Sequence, residues 1–269
     1  MPAGLKGERG FRNMFWRSGF GVLVVVALLS NEKSLQAQSH DAHYDKTSAE
    51  EAASYIELGD DFSRVREYKL AIGAYTVALD YVANYSPAYF KRASANVSAG
   101  RLKEALEDYS RTIEIVPECA EAYSNRAYVR GLLHDKDGAL SDWQTALEIN
   151  PRLTAALFNR GTFRLNVRDF SGAIEDFSKA LDIDPRHAKA YNNRGIAKLA
   201  MGNVDEALLD FSQAIKIDSK LPEAYTNRGF VHLDQGKQTE ANSDLERSLK
   251  LRPSLQSYIQ EHSREIALR

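Results

Sequence analysis

One cysteine, Cys119, stands in 269 residues. That excludes an intrachain disulfide and a cysteine-ligated metal site. Neither sign of charge dominates, since 35 Lys and Arg face 37 Asp and Glu. Residues 1–37 hold five basic and two acidic residues, and without them the formal charge moves from −2 to −5. A mildly acidic body lacks the basic surface that phosphate recognition needs, which argues against nucleic acid as a partner. Long apolar runs are scarce. The uncharged window 18–31 is shorter than the roughly 20 residues of a membrane span. His134, His187, His232 and His262 are scattered, with no nucleophile or carboxylate at motif spacing. His40 and His43 sit in a polar stretch without further ligands. No catalytic residue, cofactor, metal or small-molecule substrate is expected.

The N-terminus carries Lys6, Arg9, Arg12 and Arg17 against a single Glu8. An apolar core follows over 20–29, interrupted by Gly21, and then Leu35-Gln36-Ala37 with a small residue last. A basic region, a short apolar core and a small-residue site read as a secretory signal. The expectation is export, to a bacterial periplasm, with 1–37 removed. The alternative is an uncleaved inner-membrane anchor. Residues 38–51 read as a linker, with Thr47 and Glu50 spaced as a capping box that starts the first helix. Asn203 and Glu206 repeat that spacing later in the chain.

What the chain has in abundance is self-similarity. Counting Ala188 as position 1 and stepping by 34 gives six units in phase: 52–85, 86–119, 120–153, 154–187, 188–221 and 222–255. Position 20 is always Ala: Ala71, Ala105, Ala139, Ala173, Ala207 and Ala241. Position 8 is Gly or Ala throughout: Gly59, Ala93, Ala127, Gly161, Gly195 and Gly229. Position 24 is large: Tyr75, Tyr109, Trp143, Phe177, Phe211 and Leu245. Position 4 is Tyr except for Leu157, and position 32 holds Pro117, Pro151, Pro185 and Pro253. Each unit reads as two amphipathic helices, at positions 1–14 and 17–30. Small residues let the pair approach, aromatics fill the space beside them, and proline stops the second helix. No unit buries its apolar face alone, so stability comes from stacking on neighbours. Residues 256–269 read as one more helix, with Leu255, Ile259 and His262 or Ile266 spaced to cover the last hairpin.

This pattern resembles the tetratricopeptide repeat family. The resemblance implies an all-α fold, a right-handed superhelix of six helix-turn-helix repeats with a C-terminal capping helix. It also implies a non-enzymatic scaffold that binds a protein or peptide partner, as an extended segment or a helix. The alternatives are an adaptor that delivers an envelope enzyme and a self-assembling structural protein. In this family the first helix of each unit lines a concave groove, at positions 2, 5, 6, 9, 12 and 13. Position 6 is then a ladder of Asn125, Asn159, Asn193 and Asn227, preceded by Glu57 and Lys91. An amide that both donates and accepts suits an extended backbone; the same position is also an ordinary solvated site of the motif. Phe90, Tyr128, Phe158, Ile196 and Phe230 occupy positions 5 and 9. Facing solvent, they are apolar pockets for a partner; packed between units, they are core. The family's clamp for chaperone C-termini is missing, because no unit has Lys at position 5.

Position 7 is Arg92, Arg126, Arg160, Arg194 and Arg228, and position 23 is Asp108, Asp142, Asp176, Asp210 and Asp244. The first unit lacks both, with Leu58 and Ala74. The joint absence points to contact between the two positions, an ion-pair ladder that joins helices within or between units. The alternative is an Arg row that takes an acidic peptide. Position 11, usually aromatic in the family, reads Phe62, Asn96, Arg130, Arg164, Lys198 and His232. That leaves a choice between a row balanced by acids and a basic stripe inside the curve.

Overall fold

The computed structural model describes residues 46–267. The signal-like segment and most of the linker lie outside the described residues. Among the described residues there are thirteen α-helices and no strand. The first helices of the six units are α1 (Lys46–Arg64), α3 (Ser86–Ser98), α5 (Ala120–Leu132), α7 (Thr154–Asn166), α9 (Ala188–Ala200) and α11 (Pro222–Asp234). The second helices are α2 (Tyr68–Tyr81), α4 (Leu102–Ile115), α6 (Lys136–Ile149), α8 (Phe170–Ile183), α10 (Val204–Ile217) and α12 (Gln238–Leu251). A 3-10 turn, Pro253–Leu255, leads into α13 (Gln256–Ala267).

The hairpin follows from the size rule at positions 8, 20 and 24. A methyl group added at Gly195 would sit 2.7 Å from the Phe211 ring and 3.2 Å from the carbonyl oxygen of Ala207. At Gly161 it would meet Phe177 at 2.9 Å. The missing side chain is what lets the aromatic lie flat against the first helix. Phe177 and Phe211 are fully buried, as is the Ala at position 20 of every unit. Burying one such ring contributes on the order of 1.5–3 kcal/mol.

Each hairpin turns at position 15, where the backbone is left-handed in all six units. Glycine stands there in three, Gly100, Gly202 and Gly236, and Arg66, His134 and Arg168 in the others, at φ 64°, 64° and 67°. Asp135 and Asp169 then cap α6 and α8 by accepting from the Gly138 and Gly172 amides at 3.0 Å. The expected Asn203 cap is not made. Asn203 holds the cap position of α10 with no side-chain bond, and Glu206 instead pairs with Lys198 at 3.1 Å. The α1 helix begins at Lys46, so Thr47 lies inside its first turn.

The chain falls into two compact units that part at Ala88. In the first, α1 packs on α2, with a Tyr55–Tyr81 stack at 5.6 Å. In the second, each hairpin's second helix packs on the first helix of the next, α4 on α5 through to α10 on α11. Successive first helices also touch, α5 with α7, α7 with α9 and α9 with α11, whereas successive second helices make no comparable contact. The first-helix layer is therefore the inner side of the curve in this part of the chain. Helix α13 lies on α11, where Ile259 is buried. No helix of the described residues is long and apolar enough to cross a membrane.

Candidate functional site: the inner wall of the first helices

The charged rows come first, because they set which side chains remain for a partner. All five position 7 arginines hold the position 23 aspartate of their own unit with a two-pronged fork. In unit four, Arg160 Nε and Nη2 donate to Asp176 Oδ2 and Oδ1 at 2.9 and 2.6 Å. The corresponding pairs Arg92–Asp108, Arg126–Asp142, Arg194–Asp210 and Arg228–Asp244 run from 2.7 to 2.9 Å. The hydrogen bonds they donate to the aspartates push the pKa of Arg126, Arg194 and Arg228 up against the opposing effect of burial. A planar fork matches a carboxylate in a way that a lysine cannot.

In units three to six the Nη1 of the position 7 arginine reaches the preceding unit at position 25. Arg126 donates to Ser110 at 3.2 Å, Arg160 to Gln144 at 3.1 Å, Arg194 to Ser178 at 3.1 Å and Arg228 to Ser212 at 3.1 Å. One residue thus ties a hairpin together and ties it to its neighbour. Position 25 was not singled out from sequence, although Ser recurs there in three of these units. Below the guanidinium lies the position 4 tyrosine, with Arg126 over Tyr123 at 5.4 Å and Arg194 over Tyr191 at 5.4 Å. Unit four has Leu157 instead, and its Arg160 is the most buried of the row, with 8% of its side chain exposed.

In units two to five, position 11 is balanced by the same aspartates. Arg130 and Arg164 each place Nη1 2.8 Å from Asp142 and Asp176, and Lys198 Nζ lies 3.1 Å from Asp210. Asn96 makes a neutral version, donating to Asp108 at 3.2 Å. The position 11 cations therefore lie against buried carboxylates and form no basic stripe.

The asparagine ladder stands on the inner layer, and each of its four members is half-buried. Much of it is used internally. Asn227 donates to Asn192 Oδ1 at 2.9 Å, and Asn192 donates to Asn193 Oδ1 at 3.1 Å. Asn193 reaches Thr162 at 3.5 Å. Asn125 bonds the hydroxyl of Tyr109, whose pKa burial pushes up. Except for the Asn192–Asn193 bond, which lies within unit five, these bonds join neighbouring units.

The structure divides the five apolar candidates. Phe90 stands edge-on to Tyr109, at 5.7 Å. Phe158 packs on Phe177 and stacks on His187 at 4.7 Å. Ile196 belongs to the Ala207–Phe211–Val231 core. Phe230 lies against Tyr258 and His262 of α13, at 5.8 and 5.6 Å. Tyr128 alone is exposed, at 45%, and Leu132, one turn later on α5, is 44% exposed. Leu132 was not among the candidates, although it stands at position 13. Cys119 is a half-buried free thiol at the start of α5.

Family models of tetratricopeptide repeats match several stretches of this chain. A tetratricopeptide repeat model matches 56–120 and another matches 222–255. A TPR repeat model matches 169–202 and 197–236. The chain belongs to the tetratricopeptide repeat family. No curated protein sequence matches it. Among solved structures, the tetratricopeptide protein YrrB, described as having an unusual peptide-binding site, is 26% identical. It covers 64% of this chain and 89% of its own, with a TM-score of 0.52. MamA is 24% identical over 64% of this chain and 93% of its own, with a TM-score of 0.55. The pilF protein of Pseudomonas aeruginosa is 17% identical over 82% of this chain and 100% of its own, with a TM-score of 0.71. The last two carry the fold only. Tetratricopeptide repeats are generally interaction modules without catalysis, and this protein is a protein-interaction scaffold.

Proposed function

We propose that the protein holds a segment of another protein along the inner layer of α5, α7, α9 and α11. The observation that carries this reading is the exposed pair Tyr128 and Leu132, two large apolar side chains one turn apart on that layer. Exposed aromatic and aliphatic side chains at a concave surface are what a partner's anchor residues fill. The peptide-binding description of YrrB supports the same reading.

The test is a crosslinked pull-down with three proteins: the intact chain, Tyr128→Asp with Leu132→Asp, and Leu209→Asp. Leu209 is 70% exposed on a second helix and serves as the control face. Both variants should keep the parent's circular dichroism, since all three altered side chains are on the surface. The inner-layer variant should lose the captured partner, and the Leu209 variant should retain it. The reverse result would move the site to the other face.

We further propose that the scaffold acts outside the cytoplasm. The support is the basic and apolar order of 1–37. N-terminal sequencing of protein from the periplasmic fraction should read Gln38-Ser39-His40. Recovery of the whole chain from the cytosol would reject export.

A further inference from the structure

The inner layer is uncharged where a partner would touch it. At positions 5, 6, 9, 12 and 13 of units three to six, Asp234 alone carries a charge. The same positions of the first two units hold Glu57, Asp60, Arg64 and Lys91. Of these positions in units three to six, Ser124, Asn192 and Thr226 are buried, the four ladder asparagines are half-buried, and Tyr128, Leu132, Asn166, Ala200 and Asp234 are exposed. In a chain that is 27% charged, such a wall is a chemical statement about its occupant. The charges nearby are already engaged. The position 7 arginines and the position 11 cations hold the buried aspartates beneath the layer. Charge returns at position 2, on the first turn of the same helices, with Glu121, Lys189 and Glu223, and Glu223 holds Arg252.

We infer that the groove of units three to six selects an uncharged segment of its partner, with an aromatic or aliphatic side chain seated on Tyr128 and Leu132. This rests on the inner-layer reading above and adds the chemistry of the occupant. A carboxylate or ammonium brought onto this wall beside Tyr128 and Leu132 would lose water and find no counter-charge among the groove positions around them, which is costly. A neutral side chain has no such penalty. The asparagine amides supply both donors and acceptors, so they fit backbone groups and neutral polar side chains alike. The one lysine or arginine at the groove positions of units three to six is Lys189, on the first turn of α9, and none stands beside Tyr128 and Leu132 to hold a chain-terminal carboxylate, so the segment is internal to the partner.

The experiment is a peptide array of neutral, acidic and basic sequences, each printed with a free and an amidated C-terminus. It is probed with the full chain, with the Tyr128→Asp, Leu132→Asp variant and with Leu209→Asp. Neutral peptides carrying an aromatic or aliphatic residue should bind equally in both terminal forms and hold their signal as salt is raised. The inner-layer variant should bind them at least about tenfold more weakly, while Leu209→Asp matches the parent. Acidic or basic peptides that bind the parent and are lost from the inner-layer variant would overturn the inference and leave the groove reading standing. A dependence on the free C-terminus would do the same. An array with no bound peptide, or with binding that ignores the inner-layer variant, would overturn both.

Discussion

Asp176 is fully buried and accepts from two guanidinium groups, Arg160 and Arg164. Removing it leaves both cations facing a desolvated gap. Asp176→Ala should therefore destabilise the fold by about 3–5 kcal/mol, read by urea unfolding. A loss under about 1 kcal/mol would mean that water reaches the pair. Gly195 makes a second claim of this kind. Its neighbours are the Phe211 ring and the backbone of Ala207, neither a flexible side-chain end. Gly195→Ala should cost about 1–3 kcal/mol by thermal melting, whereas Ala127, which already carries a methyl group, should tolerate Gly with less loss than a clash would bring. The fork was legible in the sequence because Leu58 and Ala74 are missing together. The second cation on Asp142, Asp176 and Asp210 was not, because positions 11 and 23 become neighbours only when the hairpin closes.

At the scale of the element, the helices end where the chain turns left-handed. His134 adopts φ 64° at a position that three other units give to glycine. A side chain in that conformation is strained, so His134→Gly should raise stability by about 0.5–1 kcal/mol, measured as a higher urea midpoint. An unchanged or lower midpoint would show that the lost side chain matters more than the backbone. Helix starts were read less well than helix stops. Proline and the period of 34 mark the ends of units, but caps depend on which way a short polar side chain is drawn. Asp135 and Asp169 bond the Gly138 and Gly172 amides. Glu206, which completes a capping spacing with Asn203, is drawn to Lys198 on the other helix of its hairpin.

At the scale of the molecule, the links between hairpins described for 89–269 run to the nearest neighbour. Arg160 touches Gln144 of unit three and Asp176 of its own unit. Damage to one rung should thus be felt locally first. In Asp176→Ala, amide exchange should quicken in α7 and α8 while α11 and α12 keep their protection. Uniform loss across 89–269 would mean that this part of the chain unfolds as one cooperative block. The same arrangement explains why five apolar side chains of similar register have different fates. Phe158 and Ile196 are held by the core of their hairpins, Phe230 is covered by α13, and Tyr128 is left in water.

The sequence by itself determined the repeat, its period, the two-helix unit and the partners of the arginine row. These are local or recur in four to six of the units, so composition at each position carries the physical reason: small where backbones meet, aromatic where space remains, proline where a helix must stop. Only the tertiary structure decided what the inner layer offers. Whether an asparagine faces a partner or bonds the next unit turns on a neighbour 31 or 35 residues away, as with Asn193 to Thr162 and Asn227 to Asn192. Whether an aromatic is pocket or core depends on what packs over it. Both are properties of contact between units, and the one-dimensional pattern shows the positions without showing which of them meet.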